Sequence, residues 1–205
     1  MKILTFLFLF FSYFMCLGNT DTIAIKNHLK NITKTPSYRN HQNIEQLNAT
    51  ANYIKTDFLM YSDSVSFQEY EVDGKVYKNV ICSFGTENPQ RIIVGAHYDV
   101  CGNQKGADDN ASGVAALLEL ARQLKEQKLN KRIDLVAYTL EEPPHFRTKY
   151  MGSYIHAKYL SDHKIDVFGM LSVEMMVILK MKRKAKIIQS VFYRGFMVIK
   201  AITLR

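Results

Sequence analysis

The sequence predicts an α/β fold: a mixed, largely parallel β-sheet flanked by helices. The chain has 205 residues, of which 47% are apolar, enough for one domain with a real hydrophobic core. Three short apolar segments are typical of buried strands, and they alternate with segments whose apolar residues recur at helical spacing. This alternation favours a sheet whose strands are joined by crossover helices.

Two amphipathic helices and a hairpin come first in the predicted order. The helices are expected over residues 22–31 and 43–59. In the second helix, the apolar residues at helical spacing are Ile44, Leu47, Ala51, Ile54 and Phe58. Residues 66–85 alternate between polar and apolar side chains. Asp73-Gly74 in the middle of this segment predicts a tight turn between two antiparallel strands.

The alternating part of the chain follows the hairpin. Its predicted elements are a buried strand over 91–97, a helix over 112–128, a buried strand over 132–140, a helix over 150–160 and a third buried strand over 165–175. Asn110 or Ser112 is the expected N-cap of the first of these helices, which is expected to end at Lys128.

Acidic side chains and one imidazole stand at the ends of the three predicted buried strands. His97 and Asp99 follow the first strand, Glu141 and Glu142 end the second, and Glu174 ends the third. Ligand sites in open α/β sheets lie at the carboxyl ends of the strands. These five groups are therefore expected to converge on one edge of the sheet.

A metal site is the favoured interpretation of this convergence, because an unpaired buried carboxylate is costly. Carboxylates and imidazole suit zinc, manganese or a two-metal site. Asp109, in the segment "GADDNASG", adds a carboxylate that could bridge two cations. Successive strand side chains point in opposite directions, so Glu142 can bind metal while Glu141 accepts a proton. The competing interpretation is a solvated loop whose aspartates cap a helix.

Four segments carry the candidate residues in this order: "GAHYDV", "GADDNASGVAALLELAR", "AYTLEEPP" with "MGSYIHA", and "GMLSVEM". Together they resemble peptidase family M28, the zinc-dependent aminopeptidases. The resemblance spans about residues 79–175. It implies a zinc-exopeptidase-like fold with a co-catalytic site for two zinc ions.

The resemblance also implies a role for each candidate residue. The implied metal ligands are His97, Asp109, Glu142 and Glu174. His97 and Glu142 would bind different zinc ions, and Asp109 would bridge the two. Glu174 stands where the family has a carboxylate ligand that is usually Asp. Asp99 would hold the His97 imidazole, and Glu141 would act as the general base.

The implied activity is hydrolysis of N-terminal peptide bonds by metal-activated water, with peptides as the partners. Two other functions stay open. One is a catalytically inactive remnant or binding module. The other is a glutaminyl-cyclase-like enzyme, which shares the scaffold and uses a single zinc.

The first 18 residues have the shape of a signal peptide. Lys2 forms the basic n-region, and residues 3–17 form an apolar run shorter than the ~20 residues needed to span a bilayer. We therefore expect export, to the periplasm or out of the cell, without a stable membrane anchor. Cys16 leaves with this segment. Cys82 and Cys101 are expected to form a disulfide or to remain as buried free thiols.

The net charge of +8 lies entirely in residues 175–205. This segment contains eight of the 27 Lys and Arg residues and no acidic residue, so the remaining 19 basic residues match the 19 acidic ones. The charge therefore does not indicate a nucleic-acid partner.

The same segment does not resemble the family, which has a further His ligand downstream, whereas the chain has no His after His163. A frameshift near residues 174–176 would explain both features, because residues 175–182 back-translated in a shifted frame permit Asp-Gly-Tyr-Phe-Lys-Asp-Glu. We therefore expect residues 19–174 to form an incomplete peptidase domain with impaired activity, in which one zinc can be lost.

Overall fold

The computed structural model of this chain describes residues 20–176. The predicted signal peptide, with Cys16, and all but the first two residues of the basic segment lie outside the described residues. Among the described residues, no helix combines the length and the apolar character needed to cross a bilayer.

Within residues 20–176, five strands form one mixed sheet. They are β1 Ser64–Val72, β2 Lys75–Phe84, β3 Arg91–His97, β4 Arg132–Tyr138 and β5 Val167–Ser172. The order across the sheet is β1-β2-β4-β3-β5. β2 is antiparallel to both β1 and β4, whereas β3 is parallel to both β4 and β5. The predicted α/β class with a mixed sheet is confirmed, and the three strands predicted to carry the site are parallel to one another.

Four α-helices and one π-helical turn accompany the sheet within residues 20–176. The helices are α1 Thr22–Thr33, α2 Ile44–Phe58, α3 Gly113–Leu124 and α4 Gly152–Asp162, and the π-helical turn is Ala107–Ser112. α3 ends four residues before the predicted Lys128. Residues 125–128 carry no apolar side chain for the core, and Lys125 already has a non-helical ψ of 131°.

Of the two predicted caps of α3, Asn110 is the one that acts. Its Oδ1 accepts a hydrogen bond from Gly113 N at 3.1 Å, whereas the Ser112 side chain makes no capping bond to α3. The hairpin turn is also as predicted. Asp73 and Gly74 have φ of 50° and 74°, the left-handed region that a two-residue hairpin turn requires.

The sheet separates two apolar layers. α2 and α3 bury their apolar stripes against one face, where Ile54, Phe58 and Leu118 are fully buried, and α1 packs on α3 and on the π-helical turn. α4 covers part of the other face through a smaller cluster, formed by Ile93, Val136, Tyr138 and Leu160. Alternate residues of β4 enter the two layers, as the period of a strand requires.

Two expectations about burial are wrong. β5 is not a buried strand: its residues are half-exposed, and Phe168 is 59% exposed. The reason is its position at the edge of the described sheet, where it pairs with β3 alone. Cys82 and Cys101 are free, but Cys101 is exposed rather than buried.

Candidate metal centre

The candidate residues come from the carboxyl ends of the three parallel strands. His97 is the last residue of β3, and Glu174 lies two residues beyond the end of β5. Glu141 and Glu142 lie beyond β4, after Leu140, whose φ of 59° turns the chain away from the strand direction. The adjacent glutamates therefore lie on a loop, and strand alternation is not what separates their side chains.

Side chains from the ends of all three parallel strands lie close to the His97 ring. Its Nε2 lies 3.1 Å from Asp109 Oδ1, 3.5 Å from Glu174 Oε2 and 3.8 Å from Glu142 Oε1. One ligand atom each from His97, Asp109 and Glu174 lie within 4.8 Å of one another. Asp109 reaches this group from the π-helical turn that follows β3.

These spacings fit a zinc ion. Zinc binds imidazole nitrogen and carboxylate oxygen at about 2.0–2.2 Å, so tetrahedral ligand atoms lie about 3.4 Å apart. The distances from His97 Nε2 to Asp109 Oδ1 and to Glu174 Oε2, 3.1 Å and 3.5 Å, fall on either side of this value. The donor set, one imidazole with carboxylates, also has the chemistry that zinc accepts.

The electrostatics of the cluster also call for a cation. Burial lowers the pKa of His97, but hydrogen bonds to three acidic residues outweigh it and raise the pKa well above its ordinary value. These residues are Asp109, Asp99 and Glu174. The His97 bond in turn lowers the pKa of Asp109. A proton on His97 therefore compensates part of the negative charge, and a divalent cation would replace that proton.

The Glu142 carboxyl lies among the same acidic side chains. Burial raises the pKa of its carboxyl, His97 opposes this shift, and the neighbouring carboxylates of Asp109, Asp99 and Glu174 add to it. A carboxylate in this position gains stability when a cation lies between it and its neighbours.

Asp99 lies against the His97 imidazole. His97 Nδ1 lies 3.2 Å from the Asp99 carbonyl oxygen and 3.5 Å from its Oδ1. The buried Asp99 carboxylate also accepts the backbone N–H groups of Glu141 at 3.3 Å and Glu142 at 3.1 Å. When Nδ1–H donates to Asp99, the other ring nitrogen, Nε2, faces Asp109. Asp99 therefore contacts both the His97 imidazole at the end of β3 and the loop after β4 that carries Glu141 and Glu142.

Glu141 has different surroundings from Glu142. Its Oε1 accepts the backbone N–H of Ser153 and its Oε2 accepts the Ser153 hydroxyl, both at 2.7 Å. Burial raises the pKa of Glu141 to about 7, and the two bonds from Ser153 oppose this shift without cancelling it. A carboxyl that titrates near neutral pH suits general acid–base chemistry.

Glu174 is positioned by the π-helical turn that carries Asp109. Asn110 Nδ2 donates to the Val173 carbonyl at 2.8 Å, and Met176 N donates to Ser112 Oγ at 2.9 Å. Gly113 permits this close approach, because a Cβ there would lie 2.7 Å from the Val173 carbonyl oxygen. The segment around Glu174 is therefore docked on the same turn that supplies its neighbouring ligand.

Arg39 holds the loop between β3 and the π-helical turn, and the sequence did not indicate it. The side chain is 1% exposed, and its guanidinium donates to four carbonyl oxygens, those of Tyr98, Ile32, Lys105 and Gly106. Burial lowers the pKa of Arg39 to about 10, and Asp99 opposes this shift. Three of the acceptors lie 59 to 67 residues away along the chain, so no local pattern predicts the contact.

A known protein family matches the part of the chain that carries the candidate residues. A family model described as Peptidase family M28 matches residues 79–191, more than half of the chain. The match includes all six candidate residues and continues beyond Met175, where the resemblance in the sequence was expected to end.

Individual relatives extend the comparison. The chain is 42% identical over 144 residues to uncharacterized protein YfbL of Escherichia coli (strain K12), covering 66% of this chain and 45% of the relative. It is 34% identical over 79 residues to aminopeptidase YwaD of Bacillus subtilis (strain 168), covering 38% of this chain and 16% of the relative. The chain thus spans less than half the length of these curated relatives.

A solved structure shares the fold. The glutaminyl cyclase of Fimbriiglobus ruber superposes with a TM-score of 0.67 at 18% identity, covering 76% of this chain and 62% of that protein. At this identity the likeness concerns the fold alone.

Proposed function

We propose that this chain, which belongs to peptidase family M28, hydrolyses the N-terminal peptide bond of peptide substrates with the help of zinc. The observation that carries the proposal is the convergence of His97, Asp109 and Glu174, with Glu142 3.8 Å from the imidazole. The aminopeptidase among the relatives favours peptide hydrolysis at 34% identity.

The residues would share two zinc ions unequally. His97, Asp109 and Glu174 would hold one ion, and Asp109 with Glu142 would contribute to a second. The first ion therefore has more ligands among residues 20–176, and we expect it to bind more tightly. When bound, zinc polarises the substrate carbonyl and lowers the pKa of water. Binding requires a neutral His97, so it is expected to release a proton.

Glu141 would move the proton. It accepts a proton from the attacking water, whose oxygen forms a bond to the peptide carbonyl carbon. The C–N bond then breaks, and Glu141 delivers the proton to the leaving amine. Burial raises the pKa of Glu141 to about 7 in the metal-free chain. Nearby cations would lower this pKa, which keeps Glu141 ionised and able to accept the proton near neutral pH.

The proposal is tested by zinc calorimetry and by hydrolysis of aminoacyl p-nitroanilides, with an N-acetylated substrate as the control. We expect impaired but zinc-dependent cleavage that requires a free amino terminus. Glu141→Gln should lower kcat by about 10²–10⁴-fold, the usual contribution of a general base, and should leave zinc affinity nearly unchanged. Zinc binding without cleavage would favour a binding module. One zinc per chain with cyclisation of N-terminal glutamine would favour the cyclase alternative.

We also propose that the chain is exported, because residues 1–18 have the pattern of a signal peptide. Fractionation of expressing cells, with and without residues 1–18, would test this. Retention of the full chain in the cytoplasm would contradict it.

A further inference from the structure

We infer that Ser153 is a positioning residue, which fixes the Glu141 carboxylate through its backbone N–H and its hydroxyl. The inference rests on the proposed role of Glu141 as the general base. α4 supplies no predicted metal ligand. Its role in this inference is to hold Glu141, the proposed general base, through Ser153.

The contact involves both oxygens of the carboxylate and both donors of one residue. Ser153 N lies 2.7 Å from Oε1, and Ser153 Oγ lies 2.7 Å from Oε2. Bonds to a charged acceptor are short and strong, and two of them fix the plane of the carboxylate as well as its position. Each carboxylate oxygen has two lone-pair sites, so one site on each remains for a proton in transit.

The start of α4 makes the backbone donor available. α4 begins at Gly152, so Ser153 N belongs to the first turn, where N–H groups have no partner within the helix. The positive end of the helix dipole also favours a carboxylate at this position. The Glu141 side chain therefore satisfies a donor that the helix leaves free.

Close packing fixes the start of α4 relative to the end of β4. Gly152 N donates to the Thr139 carbonyl at 2.8 Å, and Asn79 Nδ2 donates to the Gly152 carbonyl at 2.9 Å. A Cβ on Gly152 would lie 2.1 Å from Asn79 Oδ1 and 2.6 Å from the Thr139 carbonyl oxygen. The buried Asn79 amide also accepts the Thr139 N–H at 3.2 Å. Ser153 and Glu141 thus stand on one rigid junction, with Thr139 two residues before Glu141.

Steady-state kinetics of the full chain test the role. Ser153→Ala removes the hydroxyl and keeps the backbone donor, so we expect kcat to fall by roughly 10-fold, below the ~100-fold cost of a 1 Å misplacement, with KM nearly unchanged. Ser153→Thr keeps both donors and should recover most of kcat. In a Glu141→Gln background, Ser153→Ala should have no further effect, because Ser153 acts through Glu141. An equal loss in both backgrounds, or no recovery with threonine, would overturn the inference.

A second readout needs no activity. A 2.7 Å bond to a carboxylate shifts an amide proton downfield, so the Ser153 amide resonance should move upfield in Glu141→Ala. Lys158→Ala, on the exposed side of α4, is the matched control and should not shift the Ser153 amide resonance. An unresponsive Ser153 amide would show that the contact is absent. A wild-type chain without peptidase activity would overturn the proposed function, whereas an active enzyme indifferent to Ser153→Ala would overturn this inference alone.

Discussion

Two clusters of charged residues lie at opposite ends of the same strands, and they are built differently. At the amino ends of β3 and β4, the fully buried Asp134 accepts Arg91 Nη1 at 2.8 Å and Arg132 Nε at 2.7 Å. Its Oδ1 also accepts the Ser83 hydroxyl at 2.7 Å. At the carboxyl ends, the side chains of Asp99, Asp109, Glu142 and Glu174 surround the single imidazole of His97.

The comparison shows that compensation, rather than burial, distinguishes a structural cluster from a candidate ligand site. Asp134 has two guanidinium partners, so its charge is balanced by the protein itself. The carboxyl-end cluster has more carboxylates than its imidazole can balance, and the raised pKa of His97 reflects this excess. A divalent cation would complete the second cluster, whereas the first needs no ligand.

The sharpest test of this difference removes one carboxylate from each cluster. Asp134→Asn leaves two guanidinium groups without their counter-ion, so we expect the free energy of unfolding to fall by about 3–5 kcal/mol, without a change in zinc affinity. Asp109→Asn should do the opposite. It removes one carboxylate partner of His97 but leaves those of Asp99 and Glu174, so the metal-free protein should lose much less stability than Asp134→Asn does. Zinc affinity should fall by more than the 10–100-fold typical of an outer-shell change.

Urea unfolding in the presence of a chelator and zinc calorimetry measure the two effects separately. The proposed difference between the two clusters would be contradicted if both variants lost stability to the same extent, or if Asp134→Asn weakened zinc binding.

A pH effect of about 3 kcal/mol is expected from His156, which lies beside the amino-end cluster. The side chain is 2% exposed, and its Nδ1 lies 3.0 Å from the Tyr138 hydroxyl. Burial lowers its pKa to about 4, with Asp134 opposing and Arg91 adding to the shift. As the pH falls below about 6.5, the unfolded chain binds a proton at this imidazole before the folded chain does. Stability should therefore fall between about pH 6.5 and pH 4.

Urea unfolding of the metal-free protein at pH 7 and pH 4.5 checks this prediction. In His156→Gln, which keeps a polar group near Tyr138, the part of the pH dependence due to this residue should disappear. Equal pH dependence in the two proteins would show that His156 titrates normally in the folded state.

The smallest expected effect concerns Asp99, which touches His97 from outside the ligand group. Asp99→Asn keeps the backbone carbonyl 3.2 Å from His97 Nδ1. It removes the carboxylate charge that lies 3.5 Å from the imidazole and accepts the two backbone N–H groups of the glutamate loop, so zinc affinity should fall by about 10–100-fold. Calorimetry at constant pH measures the change, with Asp162→Asn on the exposed surface of α4 as the control. An affinity equal to that of the control would show that the imidazole is oriented without Asp99.

Features that depend on local patterns could be predicted from the sequence. The bounds of β3 agree with the apolar run over 91–97, and the hairpin turn lies at Asp73-Gly74. The position of polar residues after three apolar strands was enough to place His97 and Glu174 at one edge, because parallel strands end on the same side of a sheet. Alternation, turn chemistry and strand direction are properties of short segments or of their order, so they can be read without coordinates.

The tertiary structure alone decided how each side chain is held. The divergence of Glu141 and Glu142 comes from contacts with Ser153 and His97 rather than from strand alternation. The role of Arg39 and the exposure of β5 likewise depend on which distant segments pack together. Contacts of this kind form between residues far apart in the chain, where geometry depends on the packing of the whole sheet. The sequence by itself therefore determined which groups meet at the strand ends. The fold decided which of them lie around His97 and that the Glu141 carboxylate is held by Ser153 instead.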